Sequence, residues 1–275
     1  MQKKPRKLHG GDIYRHPDVI DFSVNTNPLG TPESVKRAVQ ESVAKIEHYP
    51  DVRCEALRKA ISRFEQVNME EILCGNGAAE LFFAAVQAVC PQKALVIAPS
   101  FSEYEEALRS VGAEVEYYYL CEEDNFQIRE DYVDKLSEEI DMIFLCNPNN
   151  PTGQTIDRDM LIKILDCCKK QNIVVILDEC FLEFLDEPNR YEMSNLRGEY
   201  PNLLIIKAFT KIFSMPGLRL GYAISSNPDI LEEMSWKLQQ WNVSVPAQMA
   251  GVAALENPKN ISDRQENMYL VSGSI

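Results

Sequence analysis

Apolar positions along this chain follow two rhythms, a helical one and one of short continuous runs. Val35, Ala38, Val39, Val43 and Ile46 share one face of a helix, and Thr31-Pro32 fits its start, with the threonine as cap and the proline in the first turn. A second helical pattern covers residues 55–65. Residues 71–74 read as a strand, and an apolar helix follows Gly75-Asn76-Gly77 as far as Val89. Residues 94–98 read as a buried strand. A helix from about Ser102 stops at Gly112, a fitting residue just past a helix end. An aromatic strand is expected over 114–119, a helix over 130–139 and a strand over 142–146. Helix 159–170, strands 173–177, 203–206 and 220–224, and helices 229–240 and 247–255 complete the pattern. Strands that alternate with helices and are themselves almost wholly apolar predict an α/β layer on a mostly parallel sheet. The polar loops follow the strands, where such sheets place their ligands.

Composition narrows this reading. With 275 residues, 45% hydrophobic and 25% charged, the chain can bury a core of one or two domains without disulfides or metal. The 28 Lys+Arg against 42 Asp+Glu leave a net charge of −14, which disfavours nucleic acid and anionic membrane surfaces as main partners. The 8 cysteines form no C-x-x-C pair, and most have apolar neighbours, so they read as reduced core thiols. His9, His16 and His48 are the 3 histidines, and no metal site is expected. The basic Met1–Lys7 lacks the apolar stretch of a signal peptide, and Ile173–Leu177 is too short to span a bilayer. A cytoplasmic location is the expectation.

Four local features can carry chemistry. Gly75-Asn76-Gly77-Ala78, between a strand and a helix, fits a tight turn or a backbone cradle for an anion; it is not a G-x-G-x-x-G fingerprint. Asn147-Pro148-Asn149-Asn150-Pro151-Thr152-Gly153 follows a buried strand and could aim an amide at a ligand. Asp178-Glu179 closes a central strand, where a carboxylate needs a cationic partner or serves as a cap. Thr210-Lys211 follows another strand and precedes Pro216-Gly217-Leu218-Arg219-Leu220-Gly221-Tyr222. Lys211 fits either an ordinary surface lysine or a lysine in a partly apolar, cation-neighboured site, where it can form a Schiff base. Anion cradle, amide, carboxylate, lysine and arginine together match the functional groups of pyridoxal phosphate.

On these motifs the chain resembles the fold-type I pyridoxal-phosphate enzymes of the class I/II aminotransferase family over nearly its whole length. The resemblance implies a three-layer fold around a mostly parallel sheet, with pyridoxal 5'-phosphate as cofactor. It implies that Lys211 carries the cofactor and shuttles protons, that Asp178 pairs with the pyridinium nitrogen, and that Asn150 bonds the 3-oxygen and contacts substrate. Gly77, Ala78, Thr210 and Arg219 would hold the phosphate, and Tyr104 would stack on the ring. Tyr49, in His48-Tyr49-Pro50-Asp51, would reach the phosphate of a neighbouring subunit, so a homodimer is implied.

His9-Gly10-Gly11, the run Asp21–Gly30, Leu177–Phe181, Phe209-Thr210-Lys211 and Trp241-Asn242-Val243 resemble the threonine-phosphate decarboxylase branch, with histidinol-phosphate aminotransferases next. The first branch implies a small phosphorylated amino acid as substrate, L-threonine O-3-phosphate, decarboxylated in cobalamin biosynthesis. It places His9 near the substrate phosphate and Asn27 in the substrate-binding segment. Phe181 matches it, since aminotransferases of the family usually carry tyrosine there. Two positions depart from the family pattern: Ala208 replaces a usual hydroxyl residue, and Lys207 stands where arginine is common. The family pattern divides the chain into an N-terminal segment 1–49 that joins the small domain, a cofactor-binding domain 50–256, and the start of the C-terminal small domain, 257–275. That last domain is longer in the family and supplies an arginine for the substrate carboxylate. Arg264 is the only late arginine here, so a truncated, inactive form of the fold stays open as an expectation.

Overall fold

The computed structural model describes residues 10–257, so His9, Arg264 and the segment from residue 258 onward lie outside the described residues. Seven strands form one sheet: β1 (Ile72–Gly75), β2 (Lys93–Ala98), β3 (Glu114–Tyr119), β4 (Met142–Cys146), β5 (Val174–Asp178), β6 (Leu203–Ala208) and β7 (Gly221–Ile224). Their order is β1-β7-β6-β5-β4-β2-β3, and only β7 runs antiparallel to its neighbours. The helices are α1 (Glu33–Ser42), α2 (Glu55–Glu65), α3 (Ala78–Val89), α4 (Glu103–Ser110), α5 (Arg158–Gln171), α6 (Pro188–Tyr191), α7 (Pro228–Lys237) and α8 (Val245–Leu255).

The two-residue period of the strands sorts the core into two apolar layers. Ile143, Leu145, Val175, Leu177 and Ile205 meet Leu57 and Ile61 of α2, Leu161 and Ile164 of α5, and Ala247 and Ala250 of α8. Met142, Phe144, Ile176, Leu204 and Ile206 meet Leu81 and Phe82 of α3, Leu108 of α4, and Met234 of α7. The result is the expected three-layer α/β arrangement. Helix starts are local: Asn227 Oδ1 accepts from the Asp229 and Ile230 amides before Pro228 opens α7, and Ser244 Oγ caps α8 through Ala247.

Some expectations fail for physical reasons. Thr31 does not cap α1; its hydroxyl donates to the Ser214 carbonyl instead, at 2.6 Å. The helix ends at Ser42, and the 3-10 turn Val43–Lys45 swings Val43 and Ile46 outward to 63% and 62% exposure. The stretch 130–139 forms only a 3-10 turn, Glu130–Lys135, which ends where Leu136, itself buried, turns to extended backbone. Cys90 is exposed at the left-handed end of α3, and Cys121 and Cys167 are half-buried; the other five cysteines are core thiols. Among the described residues no helix is long and apolar enough to cross a membrane, and no His/Cys/Asp/Glu group could hold a metal ion.

Candidate active site

Three strand ends build the site. The register sets Cys146, at the end of β4, beside Asp178 at the end of β5, and Asp178 beside Ile206 of β6. Their following loops therefore leave the carboxyl edge of the sheet together. Between these loops and the start of α3 lies a cavity of about 150 Å³. Ala78, Asn150, Asp178, Thr210, Lys211 and Arg219 all line it, so most of the site expected from sequence converges there.

Asp178 is 4% exposed. Its Oδ1 accepts the Cys180 amide at 2.9 Å and its Oδ2 accepts the Tyr104 hydroxyl at 2.5 Å. Burial pushes its pKa above the usual carboxylate value, while these two donors and the Lys211 charge pull it down. A carboxylate held this way can stabilise a cation in the cavity. Lys211 shares that cavity, with Nζ 5.2 Å from the centre of the Phe181 ring.

The other end of the cavity suits an anion. Gly77 precedes α3 with φ +87°, and a Cβ there would lie 2.5 Å from Arg219 Nη2. A Cβ at Gly221 would lie 2.7 Å from the Ala78 nitrogen. Both glycines thus let a guanidinium and a strand close on the helix start. Unpaired N–H groups and an arginine then point one positive end at the cavity.

The asparagine-rich loop is held from behind. Asn149 Nδ2 donates to the Pro99 carbonyl at 3.0 Å and to Thr152 Oγ1 at 2.9 Å, and its Oδ1 accepts the Ser100 hydroxyl at 2.9 Å. Asn147 Oδ1 accepts the Ile156 amide at 2.9 Å. With both neighbours engaged, Asn150 is the asparagine presented to the cavity.

Other expected residues stand elsewhere. Tyr104 cannot stack on a ligand, because it is wholly buried in the first turn of α4, stacked on Phe144, with its hydroxyl on Asp178. Phe101, three residues earlier, lines the cavity instead. Asn27 is 1% exposed and does not line it; its side chain bonds the Ile212 carbonyl and the Leu29 amide. Tyr49 is 78% exposed, packs beside Trp241 with ring centres 4.5 Å apart, and is absent from its own chain's cavity. Phe101, Cys146 and Cys180 also line the cavity, beyond the residues to which the sequence motifs assign roles. Cys180 lies two positions beyond Asp178, and Cys146 directly precedes the asparagine loop.

The model of the aminotransferase class I and II family matches residues 17–270. The chain belongs to that family, whose members are pyridoxal-phosphate-dependent enzymes. Among curated relatives, the threonine-phosphate decarboxylase of Salmonella typhimurium is 37% identical over 257 residues, covering 90% of this chain and 70% of that one. The histidinol-phosphate aminotransferase of Methanosphaera stadtmanae is 30% identical over 251 residues, covering 90% and 66%. The crystal structure of the histidinol-phosphate aminotransferase from Clostridium acetobutylicum superposes with a TM-score of 0.83 at 32% identity, covering 90% of this chain and 73% of that one.

Proposed function

We propose that this chain is a pyridoxal-phosphate-dependent decarboxylase acting on L-threonine O-3-phosphate, giving (R)-1-amino-2-propanol phosphate and carbon dioxide for cobalamin biosynthesis. The observation that carries the choice of reaction is Phe181. It lines the cavity beside Lys211 and puts an aromatic face where aminotransferases of the family usually hold a hydroxyl. The identities of 37% and 39% to two threonine-phosphate decarboxylases, against 30% to 35% for the histidinol-phosphate aminotransferases, support the same choice.

The residues present fit the cofactor. The cradle at Gly77 and Ala78, which a Cβ would fill, suits its phosphate with Arg219 and Thr210. Asp178 suits its ring nitrogen, Asn150 its 3-oxygen, Phe101 its ring face and Lys211 its aldehyde. When bound, pyridoxal phosphate supplies an electrophilic carbon and an electron-withdrawing protonated ring. The protein's own part is then positional. Asp178 keeps a proton on the ring nitrogen, and Lys211 Nζ takes up and returns protons at the substrate side. Phe101 and Phe181 exclude water from the cavity walls. In the proposed homodimer, the exposed Tyr49 serves the phosphate site of the partner subunit.

A purified-protein assay with L-threonine O-3-phosphate tests the reading by following carbon dioxide. Stoichiometric release with the cofactor unchanged is expected. Amine transfer to an added 2-oxo acid without carbon dioxide would make the chain an aminotransferase of the histidinol-phosphate type. Neither reaction would mark an inactive cofactor-binding form. Lys211→Ala should abolish the visible absorbance of bound cofactor, and an unchanged spectrum would sink the lysine assignment.

A further inference from the structure

The loop that carries Lys211 has little regular structure of its own. Between the end of β6 at Ala208 and the start of β7 at Gly221 only the 3-10 turn Pro216–Leu218 intervenes. Phe209, Ile212, Phe213 and Met215 are buried and fix the depth of the loop. Apolar contacts are non-directional and do not set the orientation of its peptides. Ser214 adopts φ +47°, a left-handed conformation that a residue with a Cβ keeps only with outside support.

That support comes from residues 27–31, more than 180 positions earlier in the chain. The Asn27 amide donates to the Lys211 carbonyl at 3.1 Å, and the Ser214 amide donates to the same oxygen at 3.1 Å. Asn27 Nδ2 donates to the Ile212 carbonyl at 3.1 Å. Thr31 Oγ1 donates to the Ser214 carbonyl at 2.6 Å. The segment is itself pre-shaped: Asn27 Oδ1 accepts the Leu29 amide at 3.0 Å, the Gly30 amide donates to the Asn27 carbonyl at 3.2 Å, and Gly30 turns the chain at φ +70°. The carbonyls of residues 211, 212 and 214 are thus fixed by one short strap.

We propose that Asn27 and Thr31 are positioning residues for Lys211, setting the direction of its backbone and hence the point in the cavity that Nζ reaches. This rests on the assignment of Lys211 as the cofactor-bearing lysine. Asn27 acts from behind the loop and touches neither cofactor nor substrate.

The test uses the full chain with pyridoxal phosphate and three variants. Asn27→Asp keeps the acceptor to Leu29 but loses the donor to Ile212. Thr31→Val removes the hydroxyl at nearly constant volume, and Thr31→Ser restores it. The readouts are the rate at which borohydride-trapped cofactor accumulates on Lys211, located by peptide mass, and the pH midpoint of the visible band. Melting of the cofactor-free protein is recorded beside them. A buried hydrogen bond is typically worth enough to change such a rate about tenfold. Asn27→Asp should therefore slow trapping about tenfold and displace the pH midpoint. Thr31→Val should do the same more weakly, with Thr31→Ser close to the parent. If Asn27→Asp fails to fold, the threonine pair decides alone. Lower melting with unchanged trapping and midpoint would overturn the positioning role and leave the strap merely structural. Absence of the band and of trapped lysine in the parent chain would overturn the Lys211 assignment itself.

Discussion

Tyr104 and Asp178 are the pair on which the electrostatics of the cavity turn. Burial raises the pKa of Asp178 and so favours its neutral form, and a neutral carboxyl could not hold a protonated ring nitrogen. The Tyr104 hydroxyl opposes this by donating to Oδ2 at 2.5 Å. Its own pKa is raised by burial and by the Asp178 charge, so it remains a donor across the working pH range. Because the pKa of Asp178 is raised, the ionised form needed for cofactor binding is lost as pH falls through that raised value. Tyr104→Phe removes the hydroxyl and keeps the ring against Phe144. We expect cofactor affinity to fall about tenfold or more, since hydrogen bonds to charged groups contribute roughly 1.5–3 kcal/mol. The acid limb of the binding–pH curve should move to higher pH. Equilibrium titration of cofactor absorbance at several pH values checks both, and an unmoved acid limb would refute this role. The role was not legible from residue types. Phe101 and Tyr104 are aromatics in one short segment, and only the start of α4 at Glu103 decides between them. A side chain in the first helical turn points back toward the core, whereas one before the helix is available to the cavity.

The same geometry at the level of elements depends on how closely β7 approaches α3. Gly221 begins β7, and a Cβ there would meet the Ala78 nitrogen at 2.7 Å and the Lys207 carbonyl at 3.0 Å. Both are backbone atoms that cannot swing aside. Gly221→Ala should push the strand from the helix start and open the anion cradle. A melting temperature lower by several degrees is expected, with faster loss of cofactor on gel filtration. Equal cofactor retention in variant and parent would show that the cradle tolerates the displacement. Elements were largely legible in the pattern of the chain, because the strands are continuous apolar runs and their polar loops follow at the carboxyl ends. Glu114–Tyr119 and Met142–Cys146 form over the expected spans. The pattern misleads where burial is thin. Val43 and Ile46 keep the helical spacing of α1, but the helix ends before they can use it. Asn27 belongs to the same limit, since its partners lie in a distant loop and no local spacing announces them.

Across the molecule, the excess of acidic residues is not confined to the surface. Lys207 points to the face of the sheet opposite the cavity and is 3% exposed. Glu65 lies 3.0 Å from its Nζ, Glu192 3.4 Å, Glu183 3.6 Å and Glu179 3.7 Å, and Tyr222 donates its hydroxyl to Glu65. The cluster joins α2, β6, β7 and the chain between β5 and β6. Its members are scattered over more than 150 positions of sequence, which is why net charge alone hides it. Burial disfavours the charge on Lys207, but the four carboxylates outweigh this and raise its pKa. Stability from that shift is present below the ordinary lysine value and disappears only in the strongly alkaline range. One ammonium cannot neutralise four carboxylates. Glu179, whose Oε2 has no hydrogen-bond partner, is pushed up to about 8, first by burial and then by Glu192 and Glu65 against the pull of Lys207. Folded protein therefore keeps a proton that the unfolded chain releases near 4.5, so stability falls as pH rises from about 4.5 to about 8 and then levels off. Glu183 and Asp178, also raised, add slope of the same sign. Glu179→Gln carries the neutral form permanently and should flatten the melting-temperature profile between pH 5 and 8, ending above the parent beyond that window. Lys207→Met should instead lose about 3–5 kcal/mol, because it leaves buried carboxylates without their cation. Thermal melts of both variants across this pH range decide the matter: an unchanged slope in Glu179→Gln would mean that the proton resides elsewhere in the cluster.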